Sequence, residues 1–269
     1  MADRADRTVF ADGTEQAAVD HFRTHGWVRV RPSDGAELGA RLQQWADEVA
    51  AWTDGDGFAE GGWLHYRELT DEGPKLCRTE NFVPFHDGLR GLLTDGPMIE
   101  VASALLGEPA VLYKEKINYK LPGGAGYSPH QDAPAYRFVD VHVSCMVAID
   151  DASADNGCLE VASASHAAVL PTDDRGCITA DVVERLTWLT VPVEAGQTLW
   201  FHSRTPHRSG PNLSPLPRRA LYPTYNSLRE GDLRDDYYRQ KLTEFDASGE
   251  SDGRVQVSLI GDFEGRPVP

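Results

Sequence analysis

"YRFVDVHVSCMVAI", residues 136–149, reads as one long strand with two different faces. Val139, Val141, Val143, Cys145, Val147 and Ile149 form a uniformly apolar row that belongs in a core. Phe138, Asp140, His142, Ser144, Met146 and Ala148 form the other row. That row mixes polar and apolar groups, as either a solvent face or the ligand-filled interior of a barrel does.

Working outward, the strand has many potential partners. "AVLYKEKINYKL" (110–121), "CLEVAS" (158–163), "LTWLTVPV" (186–193), "QTLWFHS" (197–203), "RALYPTYNS" (219–227) and "VQVSLI" (255–260) are rich in β-branched and aromatic residues and separated by turn signals. Upstream the texture is helical. "TEQAAVDHFRTHGWVRV" (14–30) reads as a short helix stopped by Gly26 and followed by a strand. In "ELGARLQQWADEVAAW" (37–52) the apolar residues Leu38, Leu42, Trp45, Val49 and Trp52 recur at intervals of 4, 3, 4 and 3, a helix with one buried stripe. "DGDGFAEGG" (54–62) is a loop, and "GPMIEVASALLGEP" (96–109) is a helix with Pro97 in its first turn and Gly107 at its stop. Helices first and strands after predict a mainly β, α+β domain: an antiparallel sandwich or barrel with the N-terminal helices packed on one side. Without repeats or low-complexity linkers, residues 1–269 are expected to form a single domain, disordered over 1–14, with its barrel at about 110–230.

Charge narrows the partners. With 26 basic against 42 acidic residues the net charge is −16, a surface that repels nucleic acid and anionic membranes. No run of roughly 18 apolar residues is available to span a bilayer, and "MADRADRTVFADGTEQ" lacks the apolar core of a secretion signal. A cytoplasmic protein acting on a small molecule is expected. Cys77, Cys145, Cys158 and Cys177 lie far apart and read as buried free thiols.

The chemistry gathers around "SPHQDAPAY" (128–136). His130 and Asp132 stand at i and i+2, which in a strand project to the same side. Two histidines and one carboxylate on one face of an octahedron hold iron(II) in oxygenases and leave positions open for cosubstrate and oxygen. The third ligand must come from far along the chain. His207 is the choice, 75 residues after Asp132, with His202 beside Trp200 as a rival that reads more as packing. Arg218 follows His207 by 11 residues, a guanidinium suited to a bidentate carboxylate.

Taken together, "KINYKLPGGAGYSPHQD" (116–132), "DNGCLEVASASH" (155–166) and "HRSGPNLSPLPRRALYPTYN" (207–226) resemble the phytanoyl-CoA dioxygenase family of Fe(II)/2-oxoglutarate oxygenases. The resemblance spans about residues 15–230 and takes in ectoine, phosphonate and natural-product hydroxylases. It implies a double-stranded β-helix, a jelly-roll-like barrel. It also implies iron held by His130, Asp132 and His207, and O2 and 2-oxoglutarate as cosubstrates. Arg218 with Ser209 would take the far carboxylate of 2-oxoglutarate, and Asn118 sits where related hydroxylases set an amide against it. Lys114, four residues earlier on the same strand face, is a second such candidate. The implied reaction is hydroxylation of an unactivated C–H bond with release of succinate and CO2. Desaturation, ring closure or epoxidation, or a barrel that binds without turnover, are the alternatives. An intact Asp132 argues against halogenation, which needs that carboxylate replaced by a small residue. One departure shows: where the family reads P-G-S-H, this chain has "ASASH" (162–166), so His166 is read as structural.

For the substrate, Lys116, Lys120, Arg137 and Arg204 flank these motifs and either bind an anionic group or are solvated. Tyr127, Tyr136, Phe138 and Trp63 either wall a pocket or belong to the core, and His142 lies on the mixed face of the strand. An acyl-CoA fits poorly with so acidic a chain, and a small polar metabolite or natural-product intermediate fits better.

Overall fold

The computed structural model describes residues 8–53, 62–136, 139 and 141–251. Helix α1 (Gln16–His25) ends where Gly26 turns left-handed at φ 80° and returns its N–H to Phe22 O, and β1 (Trp27–Val30) follows. Helix α2 (Gly35–Ala50) buries Leu38, Leu42, Ala46 and Val49, the expected stripe, while Trp45 and Trp52 pack at its edge. A hairpin of β2 (Leu64–Thr70) and β3 (Gly73–Glu80) comes next, then α3 (Asp87–Thr94) and α4 (Pro97–Leu106). The remaining strands are β4 (Ala110–Lys120), β5 (Tyr127–His130), β6 (His142–Ala148), β7 (Leu159–Ala162), β8 (Trp188–Thr190), β9 (Thr198–His202), β10 (His207–Ser209) and β11 (Arg218–Ser227). A one-turn α5 (Ala180–Val183) and a long α6 (Arg234–Ser251) complete the helices and strands of the described residues.

The strands form two antiparallel sheets. The larger runs β1-β9-β6-β11-β4-β3-β2 and the smaller β5-β10-β7-β8. Strand β6 sits in the middle of the large sheet, and its two rows of side chains define the layers. Val143, Cys145 and Val147, with Ile149 just beyond, pack under α2, α3 and α4 in the main core. Met146 and Ala148 point the other way and meet Leu159 and Val161 of the small sheet in a second core. Ser144 and His142, on that same side, continue toward the open end of the sandwich. From His142 onward the mixed row is therefore barrel interior, not solvent face. This is a double-stranded β-helix with helices on one side.

Several expectations need correction. The strand drawn from residue 136 begins only at His142, because residues 133–135 form a 3-10 turn and Asp132 lies in the bend before it. The hairpin β2–β3 and helix α3 have no counterpart in the sequence reading. Of the start expected to be disordered, residues 8–14 are placed, and Phe10 bridges Val30. The first turns of α6 bury Tyr237, Tyr238 and Lys241. Residues 54–61, Arg137, Phe138 and Asp140, and the strand expected at 255–260, lie outside the described residues. All four cysteines are free and buried. Among the described residues no helix is long and apolar enough to cross a membrane.

Candidate metal centre and its cavity

Strand pairing brings the two imidazoles together. In the small sheet β10 lies antiparallel to β5 with His207 opposite His130, and the ring centroids are 4.2 Å apart. Gly126, just before β5, permits this approach, since a Cβ there would stand 2.1 Å from the Ser209 carbonyl. Each ring is oriented by the same local device: His130 Nδ1 contacts Ser128 O at 2.7 Å and His207 Nδ1 contacts Thr205 O at 3.0 Å. Only an N–H can satisfy a carbonyl, so the proton sits on Nδ1 and Nε2 of each ring is a lone-pair donor.

Asp132 reaches the same point from its bend. Its Oδ1 lies 3.9 Å from His207 Nε2, while Oδ2 accepts from Ser144 Oγ at 2.7 Å. The bend is pinned on both sides. Ala133 N–H donates to Ser203 O, and the buried Gln131 bonds to Ala168 O, Arg204 O and Leu170 N–H. Gln131 thus locks the turn between His130 and Asp132. One ligand atom from each of His130, Asp132 and His207 falls within 4.8 Å of the others. Burial pushes the Asp132 carboxyl upward, but the positive fields of His207, Lys114, His130 and His142 outweigh it and hold it well below the usual carboxylate range.

A cleft of about 470 Å³ opens over this group, lined also by Lys114, Lys116, Asn118, Tyr127, Ser144, Tyr222 and Thr224. Burial, reinforced by the neighbouring charge of Lys116, pushes Lys114 well below the usual lysine range, and its Nζ is bonded to Tyr136 OH. A second, smaller cavity of about 320 Å³ adjoins it and is lined by Arg218, Lys120, Asn118 and Tyr127 among others. Arg218 is 3% exposed, and its Nε and Nη1 have no hydrogen-bond partner among the described residues. Ser209 is buried beside this cavity and accepts from Lys120 Nζ at 2.9 Å.

The remaining candidates separate cleanly. Tyr136 and His142 are buried behind the cleft and do not line it: His142 stacks edgewise on Tyr136 at 4.9 Å, and burial pushes it down to about 3. His202 packs near His166 and takes the Arg204 N–H on Nδ1, outside the metal group. Trp63 stacks on Trp52 and Phe85, away from the cleft. Arg204 does not line either cavity, and Lys120 lines only the smaller. Of the residues the sequence reading passed over, Ser144 lay on the mixed face two positions after His142, a usable signal. Arg78 on β3, which bonds Asn118 and Tyr127, gave none.

The donors suit the groups they would receive. Two imidazole nitrogens and a carboxylate oxygen match a ferrous ion, and an orphaned buried guanidinium matches a carboxylate one cavity away. A double-stranded β-helix with this triad at its mouth defines an iron- and 2-oxoglutarate-type oxygenase, and this protein is an enzyme of that class. The family model for phytanoyl-CoA dioxygenase (PhyH) matches residues 22–220, and the chain belongs to that family. It is 42% identical over 252 residues to a methylphosphonate hydroxylase of Gimesia maris, covering 93% of this chain and 95% of that one. It is 36% identical over 240 residues to a 2-aminoethylphosphonate dioxygenase of an uncultured bacterium, covering 87% and 90%. Among solved structures, the apo form of EctD from S. alaskensis superposes with a TM-score of 0.70 at 19% identity, covering 81% of this chain and 79% of that one.

Proposed function

We propose that the protein hydroxylates a small organophosphonate at a C–H bond, consuming O2 and converting 2-oxoglutarate to succinate and CO2. The observation that carries this reading is a pair of lysine side chains facing the triad in an otherwise anionic protein. Lys114 and Lys116 both line the cavity of the triad, although the chain as a whole carries a charge of −16. There a phosphonate meets the Lys116 ammonium and the Lys114 amine as hydrogen-bond donors, whereas the rest of the surface repels it. Both named relatives take their names from phosphonates.

In this reading His130, Asp132 and His207 hold Fe(II), and Arg218 with Ser209 binds the distal carboxylate of 2-oxoglutarate. Asn118 contacts the cosubstrate between them. When bound, the iron and cosubstrate supply the oxidising power. The chain's own groups do the rest. Lys116, with Tyr127, Tyr222 and Thr224, orients the phosphonate from the cleft wall. Leu159 and Phe201, the apolar lining beside His207, keep water off the reacting carbon. Lys114, tied to Tyr136, adds a donor at the floor of the cleft.

The test incubates Fe(II)-loaded enzyme with 2-oxoglutarate and air in the presence of methylphosphonate, 2-aminoethylphosphonate or methanesulfonate, followed by 31P and 1H NMR. A hydroxyalkylphosphonate formed mole for mole with succinate is expected, and neither product from Asp132→Ala. Succinate that accumulates at the same slow rate with and without every phosphonate would overturn the substrate assignment.

A further inference from the structure

Behind the polar wall of the cleft lies a buried arginine. Arg78, on β3, is 2% exposed, and its fork reaches several neighbours at once. Nε donates to Oδ1 of Asn118 at 2.9 Å, and Nη2 donates to the phenol oxygen of Tyr127 at 3.0 Å. Nη1 stands 3.5 Å from Glu80 Oε1, and Glu80, itself buried, lies 3.4 Å from Nζ of Lys241. Lys241 belongs to α6, which is outside the residues 22–220 matched by the family model. A continuous polar chain therefore runs from the C-terminal helix to two side chains of the cleft.

Those two side chains occupy a special place. Asn118 and Tyr127 are the residues shared by the metal cleft and the Arg218 cavity, so a molecule reaching from one to the other passes them. A guanidinium has donors and no acceptor. By occupying Oδ1 it fixes which way the Asn118 amide points and leaves the NH2 as the face presented to the cavity. By donating to the phenol oxygen it turns the Tyr127 O–H away from itself. Both groups are thereby set as donors, the polarity an anion needs, before any anion arrives.

We propose that Arg78 is a positioning residue that presets Asn118 and Tyr127 as hydrogen-bond donors to the bound cosubstrate, and that Lys241 of α6 holds Arg78 in place through Glu80. This rests on the reading that 2-oxoglutarate lies between the triad and Arg218. Without Arg78 the amide is free to turn over, and its carbonyl then faces a carboxylate.

The test is an anaerobic titration of the Fe(II)-loaded enzyme with 2-oxoglutarate, read by the metal-to-ligand absorption band of the chelate, with Fe(II) affinity measured separately. Arg78→Lys keeps a positive charge beside Glu80 but cannot span both partners. It is expected to weaken 2-oxoglutarate roughly tenfold or more while Fe(II) affinity holds. Part of that loss should vanish in an Asn118→Ala background, because Arg78 then has only Tyr127 left to orient. Lys241→Met, which leaves Arg78 and Glu80 intact, should shift the affinity in the same direction by a smaller factor, and serves where Arg78→Lys does not fold. Wild-type affinity in both variants, or a loss fully additive with Asn118→Ala, overturns the proposal alone. Absence of the band in the wild type overturns it together with the cosubstrate reading.

Discussion

Replacing Arg218 by Met should make the empty protein more stable and the loaded one less so. Arg218 is 3% exposed with Nε and Nη1 unpartnered among the described residues, so without a carboxylate ligand it is a buried charge only partly compensated. Exchanging buried ions for apolar side chains of similar size is often neutral or stabilising by about 1–4 kcal/mol. In a domain of this size each kcal/mol moves Tm by roughly 2–4 °C. The ligand works in the opposite direction. At a concentration 100 times its Kd, 2-oxoglutarate stabilises the wild type by about 2.7 kcal/mol. Losing a bidentate pair, at about 1.5–3 kcal/mol for each charge-assisted hydrogen bond, weakens binding by roughly a hundredfold or more. At that same concentration the variant then gains only about 0.4 kcal/mol. Thermal unfolding under nitrogen with Fe(II), with and without 2-oxoglutarate, should show the variant's Tm at or above the wild type's in the absence of cosubstrate. The order should reverse, or the gap close, when it is added. A variant that is less stable when empty yet shows the full ligand-induced shift would refute the reasoning, since Arg218 would then be a structural residue already paired in the fold.

Other consequences follow from the same geometry. Ser144→Ala removes the donor that fixes Asp132 Oδ2, and Fe(II) affinity should fall by about 10–100-fold in a competition titration with little change in Tm. The apoprotein should lose stability in acid. Burial, then the charge of His25, pushes His21 down to about 4, and burial, then His166, does the same to His202. Both lie below the unfolded value of 6.5, so the unfolded chain binds more protons between those limits. Urea midpoints should therefore be flat above about pH 7, decline as pH falls from 6.5 toward 4, and gain no further slope from these groups below that. Constant midpoints from pH 7 to 5 would contradict the burial of this histidine cluster. Ala164 sits at φ 57°, where a Cβ costs about 1–2 kcal/mol, so Ala164→Gly should raise stability by roughly 0.5–1 kcal/mol after the added entropy of the unfolded chain. Calorimetry that shows a destabilised Ala164→Gly would rule out strain at this turn.

How legible the molecule is in its sequence depends on the range of the interactions. The two rows of "VHVSCMVAI" carry the layering because period-2 alternation survives wherever both faces are buried against different partners. The convergence of His130 and His207 is legible because their residue types and the following Arg218 are unusual in combination. Asp132 was expected to share a strand with His130, and instead a proline-containing turn at residues 133–135 carries it. The pair meets through a bend, and Gln131, whose amide ties that bend to three backbone groups, has no pattern of its own. The hairpin β2–β3 is hidden for a different reason. "LHYRELT" and "GPKLCRTE" are rich in charge, yet Arg78 and Glu80 are buried, paired with each other, and Glu80 is paired as well with Lys241, 161 positions away. A charge satisfied at that distance looks like surface in any local reading. The same logic hides the inward face of α6, where Arg234 pairs with the fully buried Glu115 at 2.6 Å.

The most direct test is crystallographic. Crystals grown anaerobically with Fe(II) and 2-oxoglutarate, with data collected across the iron edge, should show one anomalous peak bonded to Nε2 of His130, Nε2 of His207 and a carboxylate oxygen of Asp132, with the far carboxylate of 2-oxoglutarate on the Arg218 guanidinium. An iron peak elsewhere, or a triad that remains empty while Arg218 contacts no ligand, would contradict the account.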